Sequence, residues 1–251
     1  MDNKEYIVRA KETIKKNLSK DDLIRRMVNL IDESEAAENV LFEATFDMFF
    51  LYYPEAAVML KERDKFVSSL KSGVSRDEVS QKMLISAQSF GYDLDANGMS
   101  LLSDSVARLR ELDAFRIDIA GRLDNIVKVT YKNLYSICGG MLSARLLCEA
   151  KGLKNLAFMP SSKVQILGST VIFSGRKADR SPKYGLLFKH SLIQDSPQNI
   201  RGRVARALAS KASMAARVDL FSGTDNSTEL DKKLEEEIKK IRGYAIRKSG
   251  R

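Results

Sequence analysis

A chain of 251 residues with 42 Lys and Arg against 33 Asp and Glu carries a formal net charge of +9; the length allows one large or two modest cored domains, and the charge makes a polyanion the expected partner. No apolar run approaches the roughly 18–20 residues that span a bilayer, and the amino terminus is charged throughout, which argues against a transmembrane helix or a secretory signal and predicts a soluble, intracellular protein. Four prolines, no tryptophan and abundant Ala, Leu, Lys and Glu predict an all-α chain.

Residues 4–31 read as an amphipathic helix pair: Ile7, Ile14 and Leu18 first, then a fresh start at Asp21-Asp22 followed by Leu23, Met27, Leu30 and Ile31. Phe42, Phe46, Phe49, Phe50 and Tyr53 then recur at spacings of three and four, a helix with an aromatic face that suits core packing better than base stacking. Pro54 ends that helix and, with Glu55 behind it, fits the first turn of the next. Residues 76–90 and 99–137 read as the arms of a helical hairpin joined by Gly91 to Gly98. In the second arm Leu102, Leu109, Leu112, Ile119, Leu123, Ile126 and Ile137 follow a heptad seam, broken by Arg116, Thr130 and Asn133.

At Gly139-Gly140 the composition changes. Glycines, then small and apolar residues at helical spacing, then a second glycine stop make a helix-hairpin-helix, which either presents backbone N–H groups to a phosphate or serves packing alone. Cys138 and Cys148 are too few for a disulfide framework or a zinc site and are expected reduced. Lys154 to Lys189 is rich in turns and holds the basic loop S-G-R-K-A-D-R-S-P-K-Y-G. Residues 196–220 read as a helix with Ser196 as N-cap and Pro197 in its first turn. Val204, Leu208, Ala212, Ala215 and Val218 form its apolar side, and Arg203, Arg206, Ser210, Ser213 and Arg217 a polar stripe with no acid between Gln198 and Arg217. Arginines among small hydroxyl residues suit close approach to a phosphate backbone, whereas a merely solvated face normally carries acids as well. A last amphipathic helix runs along Leu230, Leu234, Ile238 and Ile241.

The charge is unevenly placed. Residues 1–100 carry −4, 101–150 carry +1, 151–223 carry +10 and 224–251 carry +2. A single basic block on an otherwise balanced chain suggests a dedicated anion-binding module. Chemistry is not evident: there is one histidine, His190, no phosphate-binding glycine loop, and only Asp179, Asp195 and Asp219 within the basic block. The chain is therefore expected to be no enzyme and to need no metal or cofactor. His190 reads either as a satisfied structural histidine or as an aromatic donor pressed on a base.

The runs M-P-S-S-K-V-Q-I-L-G, P-K-Y-G-L-L-F-K-H-S-L-I and S-P-Q-N-I-R-G-R-V-A-R-A-L-A-S-K-A-S-M-A-A-R-V-D-L-F-S-G resemble the Nop domain, the RNA-binding module of box C/D small ribonucleoprotein scaffolds and of a related spliceosomal factor. Upstream, N-V-L-F-E-A-T-F-D-M-F-F-L-Y-Y-P-E and L-Y-S-I-C-G-G-M-L-S-A-R-L-L are similar to the helix before the family's coiled coil and to its entry into the Nop domain, so that the resemblance covers residues 36–242. It implies a helical segment at 1–75, a coiled-coil hairpin at 76–137, a compact helical Nop domain at 138–223, and a C-terminal helix and tail at 224–251. It also implies that Lys183, His190, Arg201, Arg203, Arg206 and Lys211 face a kink-turn RNA and its ribosomal-type kink-turn-binding protein. Self-association through the coiled coil is expected to use Leu109, Leu112 and Ile119.

Three departures qualify this. Only about 35 residues precede the resembling region, where box C/D scaffolds carry a fibrillarin-recruiting domain, which argues against direct fibrillarin binding. The loop after Gly168 reads G-S-T-V-I-F, about two residues shorter than usual and without the usual acid and lysine. Ser191 replaces a proline common after the histidine in the box C/D branch. The implied function is a scaffold recognising a kink-turn RNA with its protein, with an indirect part in guided rRNA 2′-O-methylation, located in the cytoplasm of an archaeal cell or the nucleolus of a eukaryotic one. A coiled-coil protein-interaction module and a nonspecific helix-hairpin-helix nucleic-acid binder stand as the alternatives.

Overall fold

The computed structural model describes residues 6–9, 11–12, 19–71, 73–169 and 184–249, with side chains up to residue 243. Every regular element among them is helical, as expected of an all-α chain. In order these are α1 (Lys20–Tyr52), α2 (Pro54–Met59), α3 (Arg63–Ser69), α4 (Arg76–Met83), α5 (Ala96–Thr130), α6 (Lys132–Cys138), α7 (Gly140–Ala150), α8 (Leu153–Phe158), α9 (Ser161–Ile166), a 3-10 turn (Gly185–Lys189), α10 (Ser191–Gln194), α11 (Arg201–Phe221) and α12 (Ser227–Ser249). Contacts divide the chain into two units: Asn29–Ile119, and Met1–Val28 together with Ala120–Arg251.

In the unit Asn29–Ile119 the aromatic face of α1 is core. Phe49 and Tyr53 are fully buried, and the ring of Phe66 from α3 meets Phe42, Phe46 and Phe49 at 5.5, 5.8 and 5.3 Å. Leu102, Val106 and Leu109 of α5 close the same cluster. A large apolar side chain so buried contributes about 1.5–3 kcal/mol. Helix α1 continues through the polar stretch after Ile31, where Ser34 donates to Leu30 O at 2.6 Å, so the aromatic helix does not start afresh.

The hairpin differs from expectation. The arm expected at 76–90 is only the two-turn α4, opened by a Ser75–Glu78 capping box and closed at Leu84 in the left-handed region (φ 55°). Residues 86–92 are held out of helix by side-chain bonds: Tyr53 Oη donates to Ser86 O, and the Glu55 carboxylate accepts from Ser89 Oγ (2.6 Å) and Phe90 N (3.1 Å). The helix paired with α5 in this unit is instead α1. Glu38 on α1, with its side chain 1 % exposed, lies 3.1 Å from Arg116 of α5 and 3.1 Å from Arg63 of α3. The seam therefore faces this chain's own α1, and Leu109 (1 % exposed) and Ile119 (5 % exposed) are buried within it. Leu112, the third residue expected at the self-association seam, is half-buried.

In the other unit α11 is central, packed against α6, α8, α9 and α12. Val204, Leu208, Ala212 and Ala215 are fully buried, and the alanines let neighbouring helices approach closely. Asn133, expected to interrupt a coiled coil, sits at a helix break. Asp219 of α11 accepts from Asn133 N (3.2 Å), Leu134 N (2.9 Å) and Asn133 Nδ2 (2.7 Å), capping α6, while Asn133 Oδ1 takes Asn226 N at 2.8 Å. Asp21 at the start of α1 accepts from Leu153 N at 2.8 Å and from Tyr131 Oη; burial and that hydrogen bond push the Tyr131 phenol upward. Leu230, Leu234 and Ile238 of α12 are buried, as its periodicity predicts.

Candidate nucleic-acid interface

Helix α11 begins at Arg201 rather than at Pro197. Pro197 to Ile200 form a preceding turn in which Ile200 N and Arg201 N both reach Pro197 O (3.0 and 3.2 Å), and Ser196, buried, donates through Oγ to Leu192 O instead of capping the helix. The first exposed turns of α11 present Arg203 and Arg206 on one side, three residues apart, and neither has an ion-pair or hydrogen-bond partner among the described residues.

Beside them lies the 3-10 turn. Gly185 (φ +49°) permits its entry: a Cβ there would come within 2.2 Å of Leu167 O, the carbonyl that Leu186 N reaches at 2.8 Å. The turn places Tyr184 and Phe188 in a stack, centroids 5.9 Å apart and rings 13° from parallel, with the Arg201 guanidinium 5.9 Å from the Phe188 ring. Arg201 is fixed there by Nε to Ser196 O (2.8 Å) and Nη2 to Gln194 O (3.0 Å). This aromatic pair went unnoticed in the sequence, although its i,i+4 spacing within Y-G-L-L-F was a usable signal.

His190 is fastened at both ring nitrogens. Nδ1 accepts from Leu192 N at 3.1 Å as the N-cap of α10, which leaves Nε2 as the donor to Ile137 O at 3.1 Å. Burial lowers the ring's proton affinity against the smaller opposing effect of the Ile137 bond, so the ring is neutral at pH 7. Of its two sequence readings, this geometry is that of the satisfied structural histidine.

Lys211 is turned inward: its side chain is 13 % exposed and its Nζ lies 3.4 Å from Glu237 of α12. In the far half of the polar stripe Ser213 and Arg217 both bond to backbone carbonyls, although Arg217 stays exposed. Ser213 is buried and donates to Met159 O (3.2 Å), and Arg217 Nε donates to Ala157 O (2.9 Å). Lys183 and most of the basic loop lie outside the described residues. The helix-hairpin-helix forms as α6, Gly139 and α7, but an anion already stands at the start of α7, since a Cβ on Gly140 would fall 2.1 Å from Asp124 Oδ1. Neither cysteine is in a disulfide; Cys138 is buried, with its thiol pushed up to about 12. Among the described residues no group of three or more His, Cys, Asp and Glu is placed to hold a metal, and no helix is long and apolar enough to cross a membrane.

Residues 8–242 match the family model described as "Nop: snoRNA binding domain, fibrillarin". The chain is 29 % identical over 239 residues to an uncharacterised NOP5 family protein of Methanocaldococcus jannaschii, covering 89 % of this chain and 58 % of that protein. It is 27 % identical over 226 residues to nucleolar protein 58 of Schizosaccharomyces pombe (82 % and 44 % covered) and 29 % identical over 231 residues to nucleolar protein 56 of Caenorhabditis elegans (83 % and 48 %). It thus spans about half the length of these relatives. The crystal structure of a fibrillarin/Nop5p complex resembles it with a TM-score of 0.49 at 21 % identity, over 92 % of this chain and 83 % of that one. The family match starts at residue 8 rather than 36, so most of the 35 residues that precede the resembling region belong to the matched region and do not speak against fibrillarin binding. With the family model covering nearly its whole length, the chain belongs to the Nop family.

Proposed function

We propose that this chain is a non-catalytic, RNA-binding scaffold of a box C/D-type small ribonucleoprotein, whose Nop domain, residues 138–223, recognises a kink-turn RNA together with its ribosomal-type binding protein. The observation that carries this reading is the pair Arg203 and Arg206, exposed and unpartnered on a helix with no acid between Arg201 and Arg217, beside the Tyr184–Phe188 stack. Arginines supply phosphate contacts and the stack an aromatic surface, the two elements of RNA recognition. Arg201 and His190 act by holding this surface in place, and Lys183 is a further RNA contact implied by the family resemblance. Fibrillarin is a partner of the same particle, which gives the scaffold its part in guided rRNA 2′-O-methylation, in the nucleolus where the cell has one.

Filter binding of a kink-turn RNA, with and without its ribosomal-type protein, tests this. With about five phosphates neutralised, the logarithm of affinity falls against the logarithm of salt with a slope of roughly −3.5 to −4.5. Replacing Arg203 and Arg206 together by Ala weakens binding at least about tenfold and makes the slope shallower by about 1.5–2. Absence of binding in both mixtures, or an unchanged slope in the double variant, would end the proposal.

A further inference from the structure

The same unit carries an aromatic feature with no part in the interface above. Phe158, at the end of α8, and Phe221, at the end of α11, are 64 % and 67 % exposed, yet they pack edge to face with centroids 5.7 Å apart at 87°. Neither ring is mobile on a loop tip: Ala157 O takes Arg217 Nε and Met159 O takes Ser213 Oγ, so α11 grips the chain on both sides of Phe158. Phe158 forms one wall of a shallow groove of about 630 Å³ whose rim includes Lys151, Asn155, Lys163 and one acid, Glu149. Lys151 holds a left-handed conformation (φ 61°) at the C-cap of α7, a place helices usually give to Gly or Asn. Lys151 and Lys163, with Lys154 on the intervening helix, are exposed and have no ion pair among the described residues.

We propose that this groove binds a single-stranded segment of RNA, with a base stacked on Phe158 and the backbone following Lys151 and Lys163. Charge decides the occupant: the rim carries Lys151 and Lys163 against one carboxylate, Glu149, with Lys154 and Arg217 exposed on the helices that flank the largely exposed Phe158 ring, while the nearby Asp21 carboxylate is engaged by Leu153 N and Tyr131 Oη. Cationic grooves with stacking rings hold single strands, because every base offers a π-face and every phosphate a charge. An apolar protein partner would leave those lysines desolvated and unpaired. The inference deepens the RNA-scaffold reading and rests on it, by adding a site for the strand that runs on from the folded RNA element.

The probe is a ten-nucleotide single-stranded RNA carrying 2-aminopurine, titrated into the full chain with anisotropy and fluorescence quenching read together. A kink-turn RNA trimmed of single-stranded ends, mixed with its ribosomal-type protein, serves as the second probe. Phe158→Ala is expected to weaken single-strand binding about 5- to 150-fold and abolish the quenching, while Lys151→Ala with Lys163→Ala makes its salt slope shallower. Phe158→Ala leaves binding of the trimmed kink-turn complex unchanged, whereas the Arg203, Arg206 double variant loses it, so failure of this site and of the main interface are told apart. Both rings being exposed, thermal melts of the variants should match the parent chain. No single-strand binding by the parent chain, or equal binding and quenching by Phe158→Ala, overturns the proposal.

Discussion

Glu38 illustrates how one side chain governs its surroundings. It is nearly fully buried, yet its carboxylate meets two guanidinium groups, from Arg63 and Arg116, and Arg116 is also held by Asp113 at 2.5 Å. Attraction between buried charges offsets a large desolvation cost only while every partner is present. Glu38→Ala leaves two part-buried guanidinium groups facing each other, and a loss of about 3 kcal/mol is expected, the low end for broken buried pairs because both arginines keep some water contact. Glu38→Gln, which retains the acceptor oxygen, should lose less. Urea unfolding monitored by circular dichroism measures both, and equal midpoints for Glu38→Ala and the parent chain would refute the account. The heptad pattern marked Arg116 as an interruption of the seam. That its partner is Glu38, 78 residues away, is a matter of tertiary pairing that periodicity does not encode.

Among the elements, those whose signals are local were legible: the Asp21-Asp22 first turn of α1, the Pro54 break, the apolar side of α11 and the buried ridge of α12. Those decided by distant partners were not. Nothing near Ser86 in sequence announces that Tyr53 and Glu55 hold residues 86–92 out of helix, and nothing near Lys211 announces Glu237. The candidate interface divides in the same way. Arg203 and Arg206 were legible from the acid-free helix, whereas the inward turn of Ser213 depends on where α8 packs. The junction of α6 with α10 through His190 yields a prediction of its own. The unfolded chain takes up a proton near pH 6.5, while the buried native ring resists it. Below that value the unfolded state binds more protons than the native state, so stability rises with pH across this window and is lost as pH falls. The slope is at most about 1.4 kcal/mol per pH unit. Melting temperatures of the parent chain should drop between pH 7.5 and 5.5, and His190→Gln should flatten that drop; parallel curves for the two would remove His190 as the cause.

For the whole molecule, self-association through the unit Asn29–Ile119 remains an expectation of the family resemblance, and the unit exposes an apolar face away from the buried Leu109 and Ile119. Phe90, Tyr92, Val58, Leu51 and Phe50 are 86, 64, 56, 55 and 47 % exposed and line one shallow apolar groove of about 580 Å³. Contiguous exposed apolar area of this kind marks an interaction surface, and a two-fold dimer needs a self-complementary one. Where the parent chain sediments as a dimer through this face, Phe90→Asp should sediment as a monomer without altering the helical circular dichroism, because the ring makes little contact within its own chain. A variant sedimenting like the parent would exclude this face.

The division of the chain also sets the order in which a ribosome can finish it. Asn29–Ile119 is continuous and free to fold once its last residue has emerged, whereas the carboxylate of Asp21 waits for an amide 132 residues later. At about 5–20 residues per second that interval lasts about 7 to 26 s. The other unit is thus completed after Asn29–Ile119, from segments on both sides of that insert.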